Sequence, residues 1–344
     1  MTDNNSPLSS QLKKVPITIL TGFLGAGKTT LLNYILNQNH GKRIVVVQNE
    51  FGEAIGLETA MIVGDDGSKV QEWLEFPNGC ICCTVKDDMV KSLEMLVDRK
   101  DKFDYLIIET TGMADPGPLA QSLWLDDALE SSLYLDGIIT LVDAKHFEKQ
   151  LNERKSGHVN EAQRQVAFAD LIVLNKCDLV NEQELESLEK RVLEVNSLCP
   201  RIKTTFSNVP LESILNINAF SIDKATHLDA SLAVPHKHVH KSHKSEDDIH
   251  TVAFEVPTPT TPEHLNQWLA HWVWERADEC TIFRMKGFAA IQGDTHKHII
   301  QGVYDNFEVK RTHIQWGEEE QRTCKFVLIG KKLNKKALQG SFCS

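Results

Sequence analysis

Gly22-Phe23-Leu24-Gly25-Ala26-Gly27-Lys28-Thr29-Thr30 spells G-x-x-x-x-G-K-T. An apolar run, Ile17-Thr18-Ile19-Leu20, precedes it, and Leu31, Leu32, Ile35 and Leu36 follow at helical spacing. Strand, glycine-rich turn, helix is the setting a phosphate-binding loop requires. Glycines let backbone N–H groups curl around a phosphate without Cβ clashes. Lys28 supplies a cation for the β- and γ-phosphates, and Thr29 a hydroxyl for Mg²⁺. All nine residues from Gly22 to Thr30 are therefore candidate nucleotide contacts.

Outward from this loop, the chain has 344 residues, enough for two cores. Charged residues make up 25% of it, which fits a globular protein. A formal net charge of -11 argues against a general nucleic-acid binder, which needs a basic face. No apolar run approaches the roughly 18–20 residues of a membrane span. Residues 1–14 are polar, lack the apolar stretch of an export signal, and read as a disordered tail. The expected compartment is the cytoplasm, with the nucleus also open. In a reducing compartment, three cysteines crowded between 80 and 83, out of 8 in the chain, point to metal or redox work rather than disulfides.

From Val15 to about residue 222, apolar strands alternate with helical patterns. Ile44–Val47, Tyr105–Ile108, Gly137–Val142 and Leu171–Leu174 are continuous rather than alternating, as expected when helices cover both faces of a parallel sheet. Helices are expected over Asp87–Arg99 and Glu182–Val195. The fold class is α/β: a doubly wound, mostly parallel sheet, followed by a smaller α+β unit. In such sheets ligands sit beyond the carboxyl ends of the strands.

Three strand ends carry chemistry. After Val47, the acidic Gln48-Asn49-Glu50-Phe51-Gly52-Glu53 suits a mobile loop; Glu50 is a Mg²⁺ candidate, directly, through water, or not at all. After Ile108 comes Glu109-Thr110-Thr111-Gly112, a carboxylate followed three residues later by glycine. That is the Mg²⁺ and γ-phosphate sensor pattern of P-loop NTPases, with Glu in place of Asp. Its glycine would let the segment move on hydrolysis. Lys28, Glu109 and Gly112 are the candidate catalytic groups. After Leu174 comes Asn175-Lys176-Cys177-Asp178, or N-K-x-D. The Asp178 carboxylate can accept both N1–H and N2–H₂ of guanine, a donor pair that adenine lacks. The Lys176 stem can cover the base, and Asn175 can tie this loop to the phosphate loop. Thr205-Phe206-Ser207-Asn208 is a further candidate to close over the base. No arginine finger or catalytic glutamine stands out, so slow intrinsic turnover, sped by metal or partner, is expected.

Asn78-Gly79-Cys80-Ile81-Cys82-Cys83-Thr84 places three thiols in four residues. Three thiolates suit Zn²⁺ first and Cu⁺ second. With no second C-x-x-C to close a structural site, the fourth position stays open, and an open site can pass metal on by ligand exchange. Buried thiols and a redox cluster are the alternatives. Cys83-Thr84-Val85-Lys86-Asp87 opens the next helix, so its N-terminus and Lys86 are candidates to face the nucleotide phosphates.

With these motifs the chain resembles the CobW-type GTPases, the metallochaperone-like branch of the SIMIBI P-loop proteins. The residues that bear the resemblance are Gly22–Thr30, Asn49-Glu50-Phe51-Gly52, Cys80-x-Cys82-Cys83, Glu109–Gly112 and Asn175–Asp178, and it covers nearly everything after Val15. Within that family it looks closest to the eukaryotic zinc-regulated GTPase metalloprotein activators. The resemblance implies GTP as substrate, Mg²⁺ as cofactor, Zn²⁺ on Cys80, Cys82 and Cys83, and GTP-dependent delivery to an apo-metalloenzyme, for that subgroup type I methionine aminopeptidase. Those activators carry an acidic Pro-x-Leu-Val-type docking motif near the N-terminus. Residues 1–14 show none: Ser6-Pro7-Leu8 lacks both acidic neighbours and the valine.

Residues 223–250 change character. Pro235–His243 packs His236, His238, His240 and His243 into a polar stretch without apolar periodicity. It reads as a flexible linker whose imidazoles either capture zinc weakly or simply sit in solvent. From 251 to 344 a second unit of roughly 90 residues follows, an ordinary size for one core. It holds a helix over Pro262–Trp274 opened by Thr261, and strands over Thr251–Val256, Thr281–Ile291, Ile299–Tyr304, Phe307–His313 and Thr323–Ile329. Trp268, Trp272 and Trp274 read as core and rim packing, and partner recognition is the unit's expected role. The rival readings are a chaperone for cobalt or another metal, a zinc buffer or sensor without a dedicated client, and a redox-sensing regulatory GTPase.

Overall fold

The computed structural model describes residues 14–38, 40–48, 59–63, 72–75, 93–125, 132–152, 160–220 and 248–343. Strand β1, Val15–Gly22, is buried at all eight positions. It lies inside an eight-stranded sheet ordered β4-β3-β2-β5-β1-β6-β7-β8. The other strands are β2 Ile44–Gln48, β3 Thr59–Val63, β4 Glu72–Glu75, β5 Tyr105–Glu109, β6 Leu133–Asp143, β7 Leu171–Asn175 and β8 Arg201–Lys203. β1 pairs in parallel with β5 and β6, and parallel pairing extends to β2 on one side and to β7 and β8 on the other. Among the described strands β3 alone runs against the others, pairing antiparallel with β2 on one side and with the edge strand β4 on the other.

Successive strand residues point to opposite faces. The continuous apolar runs therefore feed two cores. Ile17, Ile19, Val45, Val47, Leu106 and Ile108 enter one; Leu20, Ile44, Val46, Tyr105 and Ile107 enter the other. Both faces need covering, and helices cover them. They are α1 Lys28–Leu36, α2 Gly117–Leu125, α3 Phe147–Asn152, α4 Glu161–Phe168 and α5 Glu182–Val195. Helix α5 shows why its start was legible: Asn181 caps the Glu184 N–H and the Glu184 carboxylate returns to the Asn181 N–H, a reciprocal box in which the cap is worth about 1 kcal/mol. Of the helix expected from Asp87, residues 93–97 are helical with Leu93 and Leu96 fully buried, and 87–92 lie outside the described residues.

The second unit is a five-stranded antiparallel sheet ordered β12-β11-β10-β13-β9. Its strands are β9 His250–Val256, β10 Thr281–Ala290, β11 His296–Val303, β12 Asn306–Gln315 and β13 Cys324–Lys331. Helix α6, Pro262–Ala270, starts at Thr261, whose hydroxyl accepts from the His264 N–H. It gives way to a wide π-turn over His271–Glu275 rather than continuing regularly to Trp274. Helix α7, Lys335–Cys343, closes the unit. Its Ser341 hydroxyl accepts both indole N–H groups of Trp268 and Trp272, so these two rings are core. Trp274 stays 58% exposed and lies over Phe307. Among the described residues no helix is long and apolar enough to cross a membrane.

The two sheets share one seam. Ile249, Phe283, Val303 and Ile329 of the second unit enter the core on the α4 side of the first sheet. Asp170, immediately before β7, accepts from Arg284 and Lys286 of β10. Burial pushes the Asp170 carboxyl upward, but the Arg284 guanidinium and then the Lys286 ammonium outweigh it and hold the group below the usual carboxylate range. A cavity of about 820 Å³ opens beside this trio, lined also by Cys199 and Gln301. Replacing Arg284 by Met leaves a buried carboxylate without its guanidinium partner. The Arg284→Met variant is expected to lose about 3–5 kcal/mol of stability, read as a lower urea midpoint. Because the Asp170 pKa is depressed in the folded state, its contribution is present above the unfolded carboxylate pKa of about 4. The wild type is therefore expected to lose stability progressively as pH falls below that value.

Candidate functional site

The loop after β1 is held by what surrounds it. Gly22 has φ +143°, and a Cβ there would sit 2.4 Å from the Leu141 carbonyl oxygen of the neighbouring strand. Gly27, at φ +108°, opens α1, and a Cβ there would meet the Asn175 Nδ2 atom at 2.3 Å. Only glycine fits either position. The Lys28 ammonium reaches back across the loop, donating to the Gly22 carbonyl at 2.8 Å and the Phe23 carbonyl at 3.4 Å. Burial pulls its pKa below the usual lysine range, with the Glu109 carboxylate acting in the opposite direction.

Glu109 ends β5, one strand over from β1. Its Oε1 accepts from the Thr29 hydroxyl at 2.9 Å. A hydroxyl and a carboxylate this close, at the mouth of a phosphate loop, are hard oxygen donors of the kind Mg²⁺ selects. Thr110 extends the ladder, its N–H donating to Leu20 and its hydroxyl to Thr21. Gly112 then abuts the loop itself: a Cβ there would lie 2.6 Å from the Leu24 nitrogen.

The N-K-x-D segment leaves β7 on the other side. Asn175 is 2% exposed; it donates from Nδ2 to the Ala26 carbonyl and accepts at Oδ1 from the Ser207 N–H, both at 2.9 Å. The Ser207 hydroxyl donates to the Gly27 carbonyl at 3.2 Å. One amide thus fastens three loops. Lys176 takes a left-handed backbone, φ 62°, and its ammonium meets Asp143 at 2.7 Å. Burial raises the Asp143 pKa, but hydrogen bonds from Lys176 and His146 outweigh it and leave the group below its ordinary value. Cys177 donates its S–H to the Leu174 carbonyl, and burial pushes its thiol pKa up. Asp178 is exposed on the turn that follows. Phe206 and Ser207 both have positive φ, 53° and 56°. That backbone turns Ser207 fully inward and leaves Phe206 78% exposed, available to a flat ring.

Ser207 lies in the stretch expected to close over the base, whereas Asp143 and His146 had no motif to announce them. Neither did Gln165 of α4, which donates from Nε2 to the Gly112 and Ala114 carbonyls, each at 3.1 Å. Its one sequence signal is a polar residue on the buried side of an amphipathic helix. Glu50, Cys80, Cys82, Cys83, Thr84, Val85, Lys86, Asp87, His236, His238, His240 and His243 lie outside the described residues. Among the described residues, no group of three or more His, Cys, Asp or Glu side chains could hold a metal ion.

Comparison with known proteins gives this geometry its relatives. A family profile described as CobW/HypB/UreG, nucleotide-binding domain, matches residues 16–203. A second, the cobalamin synthesis protein cobW C-terminal domain, matches residues 249–344. The zinc-regulated GTPase metalloprotein activator 1 of Schizosaccharomyces pombe is 37% identical over 325 residues, covering 87% of this chain and 78% of its own. The zinc chaperone YjiA of Escherichia coli is 33% identical over 335 residues, covering 96% of this chain and 98% of its own. The crystal structure of Zn(II)-bound YjiA GTPase from E. coli superposes with a TM-score of 0.70 at 32% identity, covering 96% of this chain and 98% of that one.

The Gly112→Ala variant tests the contact between Gly112, the candidate sensor, and the loop. Its added methyl must push Gly112 and Leu24 apart. Misplacement on that scale is expected to lower nucleotide hydrolysis by about 100-fold, measured as phosphate release, while the thermal unfolding midpoint stays near wild type.

Proposed function

The chain belongs to the CobW family of nucleotide-binding proteins, and from that premise we propose that it is a zinc-handling GTPase that loads a client metalloenzyme. GTP is hydrolysed to GDP and phosphate. The observation that carries the nucleotide half is the Thr29–Glu109 pair at 2.9 Å beside the Lys28 ammonium: cation, hydroxyl and carboxylate converge where a Mg²⁺–triphosphate would lie. Thr29 and Glu109 would hold Mg²⁺, with Glu50 as a further candidate. The ion would shield the charge that develops between the β- and γ-phosphates. Lys28 neutralises the same phosphates, the Gly112 N–H senses the γ-phosphate, and Asp178 selects guanine.

Zinc is cargo rather than a resident cofactor. Cys80, Cys82 and Cys83 supply three thiolates and leave one coordination position for an incoming ligand. They lie in sequence between Glu50 and Gly112, the two segments expected to move when the γ-phosphate leaves. Hydrolysis would alter the thiolate geometry and favour release. Relatives named for zinc-regulated metalloprotein activation and for zinc chaperoning support this reading. The client proposed by resemblance is type I methionine aminopeptidase, met in the cytoplasm. The imidazoles of His236, His238, His240 and His243 would serve as a weak accessory zinc store.

Transfer is the decisive measurement. Zinc-loaded protein is mixed with apo-methionine aminopeptidase and either GTP or GDP, and peptidase activity is followed. Activation is expected with GTP alone; equal activation with both nucleotides would remove the coupling. The Cys82→Ser variant is expected to lose tight zinc binding by competition with a chromophoric chelator, while GTP affinity stays within about twofold. The Asp178→Asn variant is expected to bind GTP about 10-fold or more weaker and to accept other purines more nearly equally.

A further inference from the structure

The segment that follows the sensor is gripped from both units of the chain. Asp115 lies three residues beyond Gly112. Its Oδ1 accepts from the Gly117 N–H at 2.9 Å, which caps the start of α2. Its Oδ2 accepts from the Arg164 guanidinium at 2.6 Å and from the Tyr304 hydroxyl at 2.5 Å. Arg164 and Gln165 are consecutive on α4, so one helix holds Asp115 with the first and the Gly112 and Ala114 carbonyls with the second. Tyr304 comes from the other unit: it sits in the two-residue turn between β11 and β12, where Val303 pairs with Asn306.

The turn is built for this contact at a local cost. Tyr304 has φ 54°, a left-handed backbone that Gly or Asn enters readily and a bulky residue does not. The ring is seated against Phe168 and Phe283, with centroids 5.1 and 5.6 Å away. It also rests on Gly117, where a Cβ would strike Tyr304 Cε2 at 2.3 Å. Burial, followed by the Asp115 charge, pushes the phenol pKa upward, so the hydroxyl keeps its proton and donates. The next turn residue, Asp305, accepts from Gln121 of α2. A strained backbone persists where its surroundings over-determine it, and such positions concentrate at switches.

We propose that Asp115 and Tyr304 form the joint through which the phosphate sensor and the C-terminal sheet set each other's position, with Tyr304 as a positioning residue for Gly112. This rests on the reading of Gly112 as the γ-phosphate sensor. In the joined arrangement Gly112 is docked on Leu24 of the phosphate loop, the position from which its N–H can meet a terminal phosphate. The joint therefore favours GTP over GDP. By reciprocity GTP tightens the joint, and a client seated on the C-terminal sheet would alter nucleotide preference by the factor by which nucleotide alters that client's affinity.

The test uses the full chain and fluorescent GDP and non-hydrolysable GTP analogues. Tyr304→Phe keeps the ring and removes the donor. It is expected to lower the affinity for the GTP analogue relative to GDP by about fivefold or more. The control is Thr251→Val, which removes another contact between the units, the Thr251 hydroxyl on the Val195 carbonyl and the Ser197 N–H. It is expected to leave that ratio within about twofold. Hydrogen exchange across residues 296–315 is expected to be slower with the GTP analogue than with GDP in the wild type, and to lose that difference in Tyr304→Phe. An unchanged ratio in Tyr304→Phe, or an equal shift in Thr251→Val, overturns the joint while the nucleotide site stands. Failure of the wild type to bind either nucleotide overturns the site reading and the joint with it.

Discussion

Everything at the nucleotide end hangs on the complete burial of β1. Eight consecutive residues are enclosed, with β5 on one edge and β6 on the other. A strand paired on both edges and packed on both faces cannot slide: a one-residue slip would reverse every side chain between the two cores. The phosphate loop therefore leaves the sheet at a fixed point and direction. Gly22 is pressed against Leu141 of β6, and Thr110 of the β5 extension is bonded to Leu20 and Thr21. Loop and sensor are two outgrowths of one rigid ladder. That is why Thr29 and Glu109, 80 residues apart in sequence, lie within a hydrogen bond of each other.

The same rigidity creates a need for polar bracing. Loops that bind phosphate expose backbone N–H groups and carbonyls, and the buried ones need partners. Asn175 meets this need for the phosphate loop and the base-recognition loop together, and Gln165 for the sensor. An amide side chain suits both places because it can donate and accept without a charge. Three carboxylates are paired with cations: Asp170 with Arg284 and Lys286, Asp143 with Lys176, and the half-buried Asp115 with Arg164. Two of these three carboxylates lie on the seam between the sheets, so the units are registered by polar geometry as well as by the apolar core they share.

The sheet and the motif positions were legible because they rest on local signals: continuous β-branched runs for buried strands, and glycines or charged residues immediately after them. The capping box of α5 and the Thr261 cap of α6 were legible for the same reason. Features with sparse or distant signals were not. Helix α7 buries only Leu338 and Phe342, too few apolar positions to show a stripe, and its burial depends on tryptophans some 70 residues earlier. Strands β3 and β4 are short, and β4 carries a glutamate at each end, which reads as loop. Gln165, Arg164 and Asp115 are single polar residues whose roles exist only once α4 lies beside the sensor. Tyr304 is further hidden, since a tyrosine with φ 54° runs against turn chemistry.

Such local misfits mark where tertiary contacts override local preference, and here they surround one short segment. The stretch from Gly112 to Gly117 has a glycine at each end, and each is obligatory for a different reason: Gly112 meets the Leu24 backbone and Gly117 meets the Tyr304 ring. Between them the carbonyls of Gly112 and Ala114 and the Asp115 carboxylate are held by α4. A segment fixed at both ends by close packing and in the middle by hydrogen bonds does not drift continuously. It can hold its place or let go as a unit, because the packed ends admit no intermediate spacing. On the proposed reading, a hydrolysis signal worth a single phosphate contact would need a bistable element of this kind. It would also need the element to touch the second unit, and in this chain the Tyr304 hydroxyl makes that contact.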